Sequence, residues 1–187
     1  MTPITISLIT NNPGKLLAAQ NAFSKYKISV NQITKEFPEI QADTSLEIAR
    51  YTAIQATNEF QLPVIREDHS MIINALGIPG PYTNFIERHL PVKKLLKILK
   101  TQKDRNGYME VATVYAEPNG FTLEYSYKVS ILFGEKIVVP DPKNGWGGII
   151  RLVNETRALT EYPESERVDM WNKNYIAIAE FLINRSK

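Results

Sequence analysis

A short turn near the start of the chain, from Thr10 to Lys15, has the residue types of a phosphate site. It joins a predicted strand, residues 4–9, to a predicted helix in which Asn12 is a good N-cap and Pro13 fits the first position. A helix N-terminus offers free N–H groups and a partial positive charge, which attract anions. Because Lys15 opposes this dipole unless an anion is bound, the turn indicates phosphate binding; an ordinary strand–helix turn is the alternative.

Acidic residues in two separate segments could hold a divalent cation. Glu67 and Asp68 come at the predicted end of a strand that begins at Pro63, and α/β sheets place their ligands at such strand ends. Glu39 lies in the polar stretch before the second predicted helix. Mg²⁺ takes one or two carboxylates together with phosphate oxygens and water, which these segments could supply. Solvated surface acids are the alternative interpretation.

Two later segments carry residues that could contact a nucleotide. Trp146 stands among the glycines of residues 145–148, and a tryptophan with small neighbours can stack on a base. A core tryptophan in a turn is the alternative. The last predicted helix carries Arg167, Asn172 and Lys173, which do not all share one helix face, so a plain solvated helix is equally compatible with them.

The scaffold that must position these segments is predicted to alternate strands and helices. The clearest β pattern is the alternation over residues 121–131, which the turn at Asn119-Gly120 pairs with residues 109–115. A capping box at Thr44 and Glu47 opens a helix that continues to about Phe60. The other predicted elements are a strand at 28–34 and helices at 92–100 and 165–183. We expect one α/β domain over residues 1–187, with a long hairpin in a mixed sheet.

Composition excludes several classes of function. With 187 residues, 43% of them apolar, the chain can bury a sizeable core, and its net charge of +2 is too mild to indicate nucleic acid or an anionic membrane as a partner. No stretch approaches the roughly 20 apolar residues of a membrane span. The absence of cysteine excludes disulfides, thiolate catalysis and cysteine-type zinc sites. We expect a cytoplasmic protein with no nucleic-acid or membrane partner.

The motifs, taken together and in order, resemble the inosine triphosphate pyrophosphatase family, whose members remove deaminated purine nucleotides. The family opens with a strand and Thr-x-Asn-x-x-Lys, matched by Thr10, Asn12 and Lys15. Its Pro-Glu-x-Gln stretch is matched by residues 38–41. Its central signature is an acidic pair, an apolar stretch, Ala-Leu-Gly and Pro-Gly-x-Tyr, matched by residues 67–82. The likeness extends over essentially the whole chain and is strong to about residue 90.

This resemblance implies an elongated mixed β-sheet flanked by helices, two lobes with a nucleotide cleft, and a homodimer. It implies hydrolysis of a deaminated purine nucleoside triphosphate to the monophosphate and pyrophosphate, with Mg²⁺ as cofactor. Asp68 would be the general base and a metal ligand, with Glu39 and Glu67 completing the metal set. The residues implied to bind substrate are Thr10, Asn12, Lys15, His69, Phe85, Gly145, Trp146, Gly147, Arg167, Asn172 and Lys173.

The second half of the chain departs from the family pattern. Residues 144–147 read Asn-Gly-Trp-Gly where the family has Phe-Gly-Trp-Asp, so the acid that contacts the base is missing. Where the family has Ser-His-Arg on the last helix, this chain has Trp-Asn-Lys at residues 171–173. Arg167 stands where the family usually has a lysine, and Thr52 stands where the family has a lysine on an earlier helix. A site that hydrogen-bonds a base loses selectivity when its polar partners change. Two alternatives therefore stay open: a nucleotide-binding protein with little catalysis, and a pyrophosphatase with altered base specificity.

Overall fold

A computed structural model of the protein describes residues 4–143 and 145–185. Within these ranges the chain forms strands, α-helices and one 3₁₀ turn, Leu159–Glu161. In chain order the strands and α-helices are β1 (Thr5–Ile9), α1 (Pro13–Ser24), β2 (Ser29–Ile33), α2 (Ser45–Phe60), β3 (Val64–Ile73), β4 (Ile78–Gly80), α3 (Thr83–His89), α4 (Val92–Leu99), β5 (Asn106–Ala116), β6 (Thr122–Phe133), β7 (Ile150–Leu152), α5 (Glu164–Trp171) and α6 (Lys173–Arg185).

The strands form one mixed sheet in the order β2-β1-β3-β5-β6-β7, with β4 paired to β3. Strand β1 is parallel to β2 and to β3, where Ile9 is opposite Arg66. Strands β4 and β7 run antiparallel to β3 and β6. The prediction of a mixed α/β sheet is confirmed, and the predicted hairpin is formed by the neighbouring strands β5 and β6, whose turn is closed by the Glu117 N–H donating to the Phe121 carbonyl (2.9 Å).

The chain divides into two compact units. The first unit comprises the chain up to Asp68, Val111–Tyr127 and the chain from Glu164 onward. The second unit comprises His69–Glu110 and Lys128–Pro163.

Apolar residues of the first unit form two clusters, because successive side chains of a strand point to opposite faces. Leu8 belongs to a cluster with α1 and α6, in which Phe23 and Tyr175 are fully buried and their ring centroids lie 6.0 Å apart. The next residue, Ile9, belongs to a second cluster with three buried alanines of α2: Ala49, Ala53 and Ala56. The second unit has its own cluster, which includes Leu95, Phe133 and Trp146.

Local sequence chemistry fixes the predicted helix starts. The Asn12 side chain accepts the N–H of Gly14 at 2.9 Å, with Pro13 at the first position of α1. Thr44 and Glu47 form the predicted capping box at the start of α2.

No helix within the described ranges is both long and apolar enough to cross a membrane.

The prediction of one continuous helix over residues 165–183 was wrong, because the chain breaks at Asn172. The Asn172 carbonyl accepts the Ile176 N–H at 3.0 Å, which starts α6, while its buried side chain donates to Asp169 Oδ1 at 3.1 Å. Asparagine favours such positions because its side chain competes for nearby hydrogen bonds. Strand β4 and helix α3 are two elements that the sequence analysis did not predict, because the Gly and Pro residues at 77–81 are typical of a loop.

Replacing Asn174 by Ala is expected to destabilise the protein. This buried side chain donates to the Val111 carbonyl (2.9 Å), Thr113 Oγ1 (3.0 Å) and the Tyr125 carbonyl (3.3 Å), and so ties α6 to β5 and β6 within the first unit. Leaving buried acceptors without a donor costs about 1–3 kcal/mol, which lowers Tm by roughly 2–12 °C in a chain of this size. Thermal unfolding measures the change. Asn58→Ala, on an exposed part of α2, is the control and should leave Tm nearly unchanged.

Candidate functional site

The turn between β1 and α1 is held by its own side chains and by β2. Thr10 Oγ1 accepts the Asn12 N–H at 3.0 Å, and Asn12 Oδ1 accepts the Gly14 N–H. The backbone of Thr10 is bonded on both sides, since its N–H donates to Ile33 O and its carbonyl accepts from Gln32 Nε2. Thr10 and Asn12 thus give the turn its shape. Their predicted contact with substrate stays a prediction.

Lys15 links this turn to the acidic pair. Its Nζ donates to the Glu67 carbonyl at 2.8 Å, across 52 residues of sequence. Burial lowers the pKa of Lys15 below its ordinary value, and the negative charges of Glu67, Asp68 and Glu39 oppose that shift only in part. The two segments that the sequence analysis treated separately therefore meet within the first unit.

The three candidate carboxylates have different surroundings. Glu67 is buried, with 2% of its surface exposed. Asp68 is half-buried, and its Oδ2 atom is shielded from solvent without a hydrogen-bond partner in the described part of the chain. Glu39 is exposed, and its Oε1 atom accepts from Arg66 Nη2 at 3.1 Å.

Two tyrosines near Glu67 were not anticipated from the sequence. Burial raises the pKa of Tyr175 well above its ordinary value, and the negative charge of Glu67 raises it further. Burial also raises the pKa of Tyr127, again with a contribution from Glu67, while the Tyr127 hydroxyl donates to Met170 O at 2.9 Å. Both tyrosines stay protonated at neutral pH, so they are neutral neighbours of the buried carboxylate.

The oxygen atoms of this region match the chemistry of Mg²⁺. Hard cations prefer carboxylate oxygens, and the shielded Asp68 Oδ2 offers one without a competing donor among the described residues. No group of three or more His, Asp or Glu side chains in the described ranges is arranged to hold a metal ion by itself. Since Mg²⁺ usually keeps several waters and takes substrate phosphate oxygens as ligands, one or two of these carboxylates suffice.

The residues predicted on the last helix lie in two environments. Arg167 and Lys173 are exposed, and Lys173 Nζ lies 5.4 Å from the centre of the Tyr127 ring. Asn172 is buried at the break between α5 and α6, where its amide donates to Asp169. Arg167 and Lys173 remain accessible for a nucleotide, whereas Asn172 has the structural role of starting α6.

The prediction that Trp146 stacks on a base is corrected by the structure of the second unit. Its side chain is fully buried in the apolar cluster, its Nε1 atom donates to Leu90 O at 2.8 Å, and its backbone N–H donates to Glu87 Oε1 at 2.9 Å. An indole without an exposed face cannot receive a base, so the alternative of a core tryptophan holds.

The glycines beside this tryptophan pack against an acid. A Cβ built on Gly147 would lie 2.7 Å from Asp141 Oδ2, and one on Gly145 would lie 3.0 Å from the same atom. The Gly147 N–H donates to that carboxylate at 3.3 Å. Close packing therefore accounts for small residues here, and contact of Gly145 and Gly147 with substrate stays a prediction. Asn144 lies outside the described residues.

Two further predicted residues belong to the second unit. Phe85 is 54% exposed and stacks on His89, with the ring centroids 4.2 Å apart. His69 is half-buried on β3. Their accessibility leaves contact with a substrate open as a prediction.

Arg66 is a candidate site residue that sequence analysis missed. It lies on β3 directly before the acidic pair, opposite Ile9 of β1, and its Nη1 atom donates to the Ile9 carbonyl at 3.3 Å. The sequence feature that could have identified Arg66 as a site residue is its position beside two acids at a predicted strand end.

Comparisons with known proteins show which family the sequence resembles. The sequence model described as the Ham1 family matches residues 6–166. A "dITP/XTP pyrophosphatase" of Methanosarcina mazei is 35% identical over 114 residues, covering 60% of this chain and 62% of that protein. One of Ignicoccus hospitalis is 32% identical over 145 residues, covering 76% and 75%. The chain thus spans somewhat under two thirds of the Methanosarcina mazei protein.

Solved structures show the same fold. A HAM1 protein from Coxiella burnetii has a TM-score of 0.81 at 19% identity, covering 97% of this chain and 99% of that chain. The Staphylococcus aureus Ham1 protein has a TM-score of 0.79, also at 19% identity, with the same two coverages.

Proposed function

The chain belongs to the Ham1 family, and on that premise we propose that it hydrolyses nucleoside triphosphates of deaminated purines to the monophosphate and pyrophosphate. The names of its relatives, dITP/XTP pyrophosphatases among them, support this substrate class. The proposal includes Mg²⁺ as cofactor, a cytoplasmic location and a homodimeric state. It assigns to the protein a role in cleansing the nucleotide pool.

One observation carries the proposal. Lys15 Nζ lies 2.8 Å from the Glu67 carbonyl, so the anion-attracting start of α1 is beside the Glu67–Asp68 pair within one unit. A lysine whose pKa is lowered by burial gains most from an incoming anion, because the anion restores the stabilisation that water would otherwise provide. A triphosphate with its cation supplies both the negative charge that Lys15 needs and the positive charge that the carboxylates need.

In the proposed reaction a water oxygen bonds to the α-phosphorus, and the bond from that phosphorus to the bridging oxygen of the pyrophosphate breaks. Asp68 accepts the proton of the water or orients it, using the Oδ2 atom that has no donor within the described ranges. Lys15 and the N–H groups at the start of α1 hold the departing pyrophosphate. Bound Mg²⁺ would be held by Asp68 with Glu39 and Glu67, and supplies neutralisation of phosphate charge.

The test is a panel of nucleoside triphosphates with Mg²⁺ and with excess EDTA. We expect pyrophosphate and monophosphate in equal amounts from inosine and xanthosine triphosphates, and none in EDTA. Tight binding without turnover of any nucleotide would show a binding protein instead. A clear preference for a pyrimidine triphosphate would show that the changed residues on α5 and α6 have moved the base specificity.

A further inference from the structure

The environment of Arg66 suggests a role beyond bracing the sheet. Only 18% of its side chain is exposed, whereas 63% of the Glu39 side chain is exposed. Its guanidinium donates to Glu39 Oε1 and to the Ile9 carbonyl, and its buried Nε atom has no acceptor among the described residues. A largely buried cation is therefore paired with an exposed acid, and it keeps an unused donor.

A second observation concerns the position of Arg66 in the chain. It directly precedes Glu67, whose carbonyl accepts a hydrogen bond from Lys15 Nζ at 2.8 Å. Two basic side chains are therefore present at the same part of β3. Two neighbouring cations repel each other, and an anion that lies beside both offsets this cost.

We propose that Arg66 is a phosphate-binding residue that exchanges Glu39 for the substrate's phosphates, and so releases Glu39 for the divalent cation. An ion pair with an exposed carboxylate is weak and is screened by salt. A phosphate offers a doubly charged, multidentate partner for the guanidinium fork, which is a stronger interaction. This inference rests on the proposed function, because the anion it requires is the polyphosphate of the substrate.

The exchange makes anion and cation binding cooperative. While Arg66 is paired with Glu39, the Glu39 carboxylate is unavailable to a cation. When the phosphates bind Arg66, the Glu39 carboxylate becomes available. If Arg66 only braced the end of β1 through Ile9, the two binding events would not depend on each other through this residue. A double-mutant cycle separates the two roles.

The experiment measures binding of inorganic tripolyphosphate in EDTA by titration calorimetry, so that neither turnover nor metal enters the readout. The four proteins are wild type, Glu39→Gln, Arg66→Gln and the double variant. We expect Arg66→Gln to weaken binding about tenfold or more, the usual effect of losing a charged hydrogen bond. We expect Glu39→Gln to tighten binding about three- to fivefold by freeing Arg66.

The decisive comparison is the effect of Glu39→Gln when Arg66 is absent. If Arg66 exchanges partners, the double variant should bind tripolyphosphate with an affinity within twofold of that of Arg66→Gln alone. Equal tightening in both backgrounds would overturn the inference, because it would show only the removal of a repelling charge. Arg66→Lys keeps the positive charge but lacks the planar guanidinium, so it should bind tripolyphosphate with intermediate affinity. It also tests the inference if Arg66→Gln does not fold.

Arg50→Gln is the matched control. Arg50 lies on α2 and is ion-paired with Glu124 in the same unit, so its loss should leave tripolyphosphate affinity within twofold of wild type. Failure of wild type to bind tripolyphosphate at all would overturn the proposed phosphate site and the inference together. Binding without coupling between residues 39 and 66 would overturn the inference alone and leave the proposed function intact.

Discussion

Asp68→Asn is expected to lower the rate of pyrophosphate release by about 10²–10⁴-fold, the range found when a general base is lost. The amide cannot accept the proton of the attacking water, and it is a poorer ligand for a hard cation. The fold should be unaffected, because Asn has the same shape and the Oδ2 atom makes no hydrogen bond within the described structure. Single-turnover rates with an inosine or xanthosine triphosphate, beside a thermal unfolding curve, measure both expectations.

A control for this substitution is Asp104→Asn. Asp104 precedes β5 in the second unit and accepts hydrogen bonds from the backbone and side chain of Asn106. The same chemical change there should leave kcat within about twofold of wild type, because Asp104 is not one of the candidate site residues. Retention of more than half the wild-type rate by Asp68→Asn would show that this carboxylate is neither the base nor a required ligand.

Lys15→Met is expected to weaken catalysis and stabilise the fold at once. Loss of a charged contact to the phosphates should lower kcat/KM by about 10–150-fold. The ammonium has a lowered pKa in the folded state, so its charged form is less favourable there than in the unfolded chain. Methionine keeps the apolar stem without that cost, and a gain of about 1 kcal/mol would raise Tm by roughly 2–4 °C at pH 7.

The pH dependence checks the stabilising part of this prediction. The cost of burying Lys15 is fully present below the folded-state pKa. It is lost progressively as the pH rises toward and past the unfolded value of 10.5, above which the lysine becomes neutral in both states. The Tm advantage of Lys15→Met should therefore shrink between pH 7 and pH 10. Lys25→Met, at an exposed lysine after α1, should change neither Tm nor kcat/KM. A destabilised Lys15→Met with normal kcat/KM would assign Lys15 a purely structural role.

The tyrosines on β6 and α6 show how the unit tolerates a buried acid. Tyr127 and Tyr175 both interact with Glu67 while remaining protonated, since burial and the neighbouring carboxylate raise the pKa of each. Neutral side chains add no charge of their own to this region. Lys15, whose Nζ donates to the Glu67 carbonyl, is therefore the cation in contact with this residue.

Elements stabilised by interactions between residues close in sequence could be predicted without the structure. The N-cap at Asn12, the capping box at Thr44 and the alternation along β6 involve residues a few positions apart, so their hydrogen bonds and periodicity can be recognised without a fold. The ordered motifs from Thr10 to Tyr82 were also enough to place the chain beside the pyrophosphatase family, which the Ham1 match confirms.

The contacts between candidate site residues that are far apart in sequence could be recognised only in the folded structure. The contact of Lys15 with the Glu67 carbonyl and the pairing of Arg66 with Glu39 depend on β1 lying beside β3, which no local pattern specifies. The burial of Trp146 likewise follows from the packing of the second unit, and its glycine neighbours suggested the opposite. Side chains far apart in sequence are brought together by packing and strand pairing, and their charges, exposure and partners are fixed only at that stage.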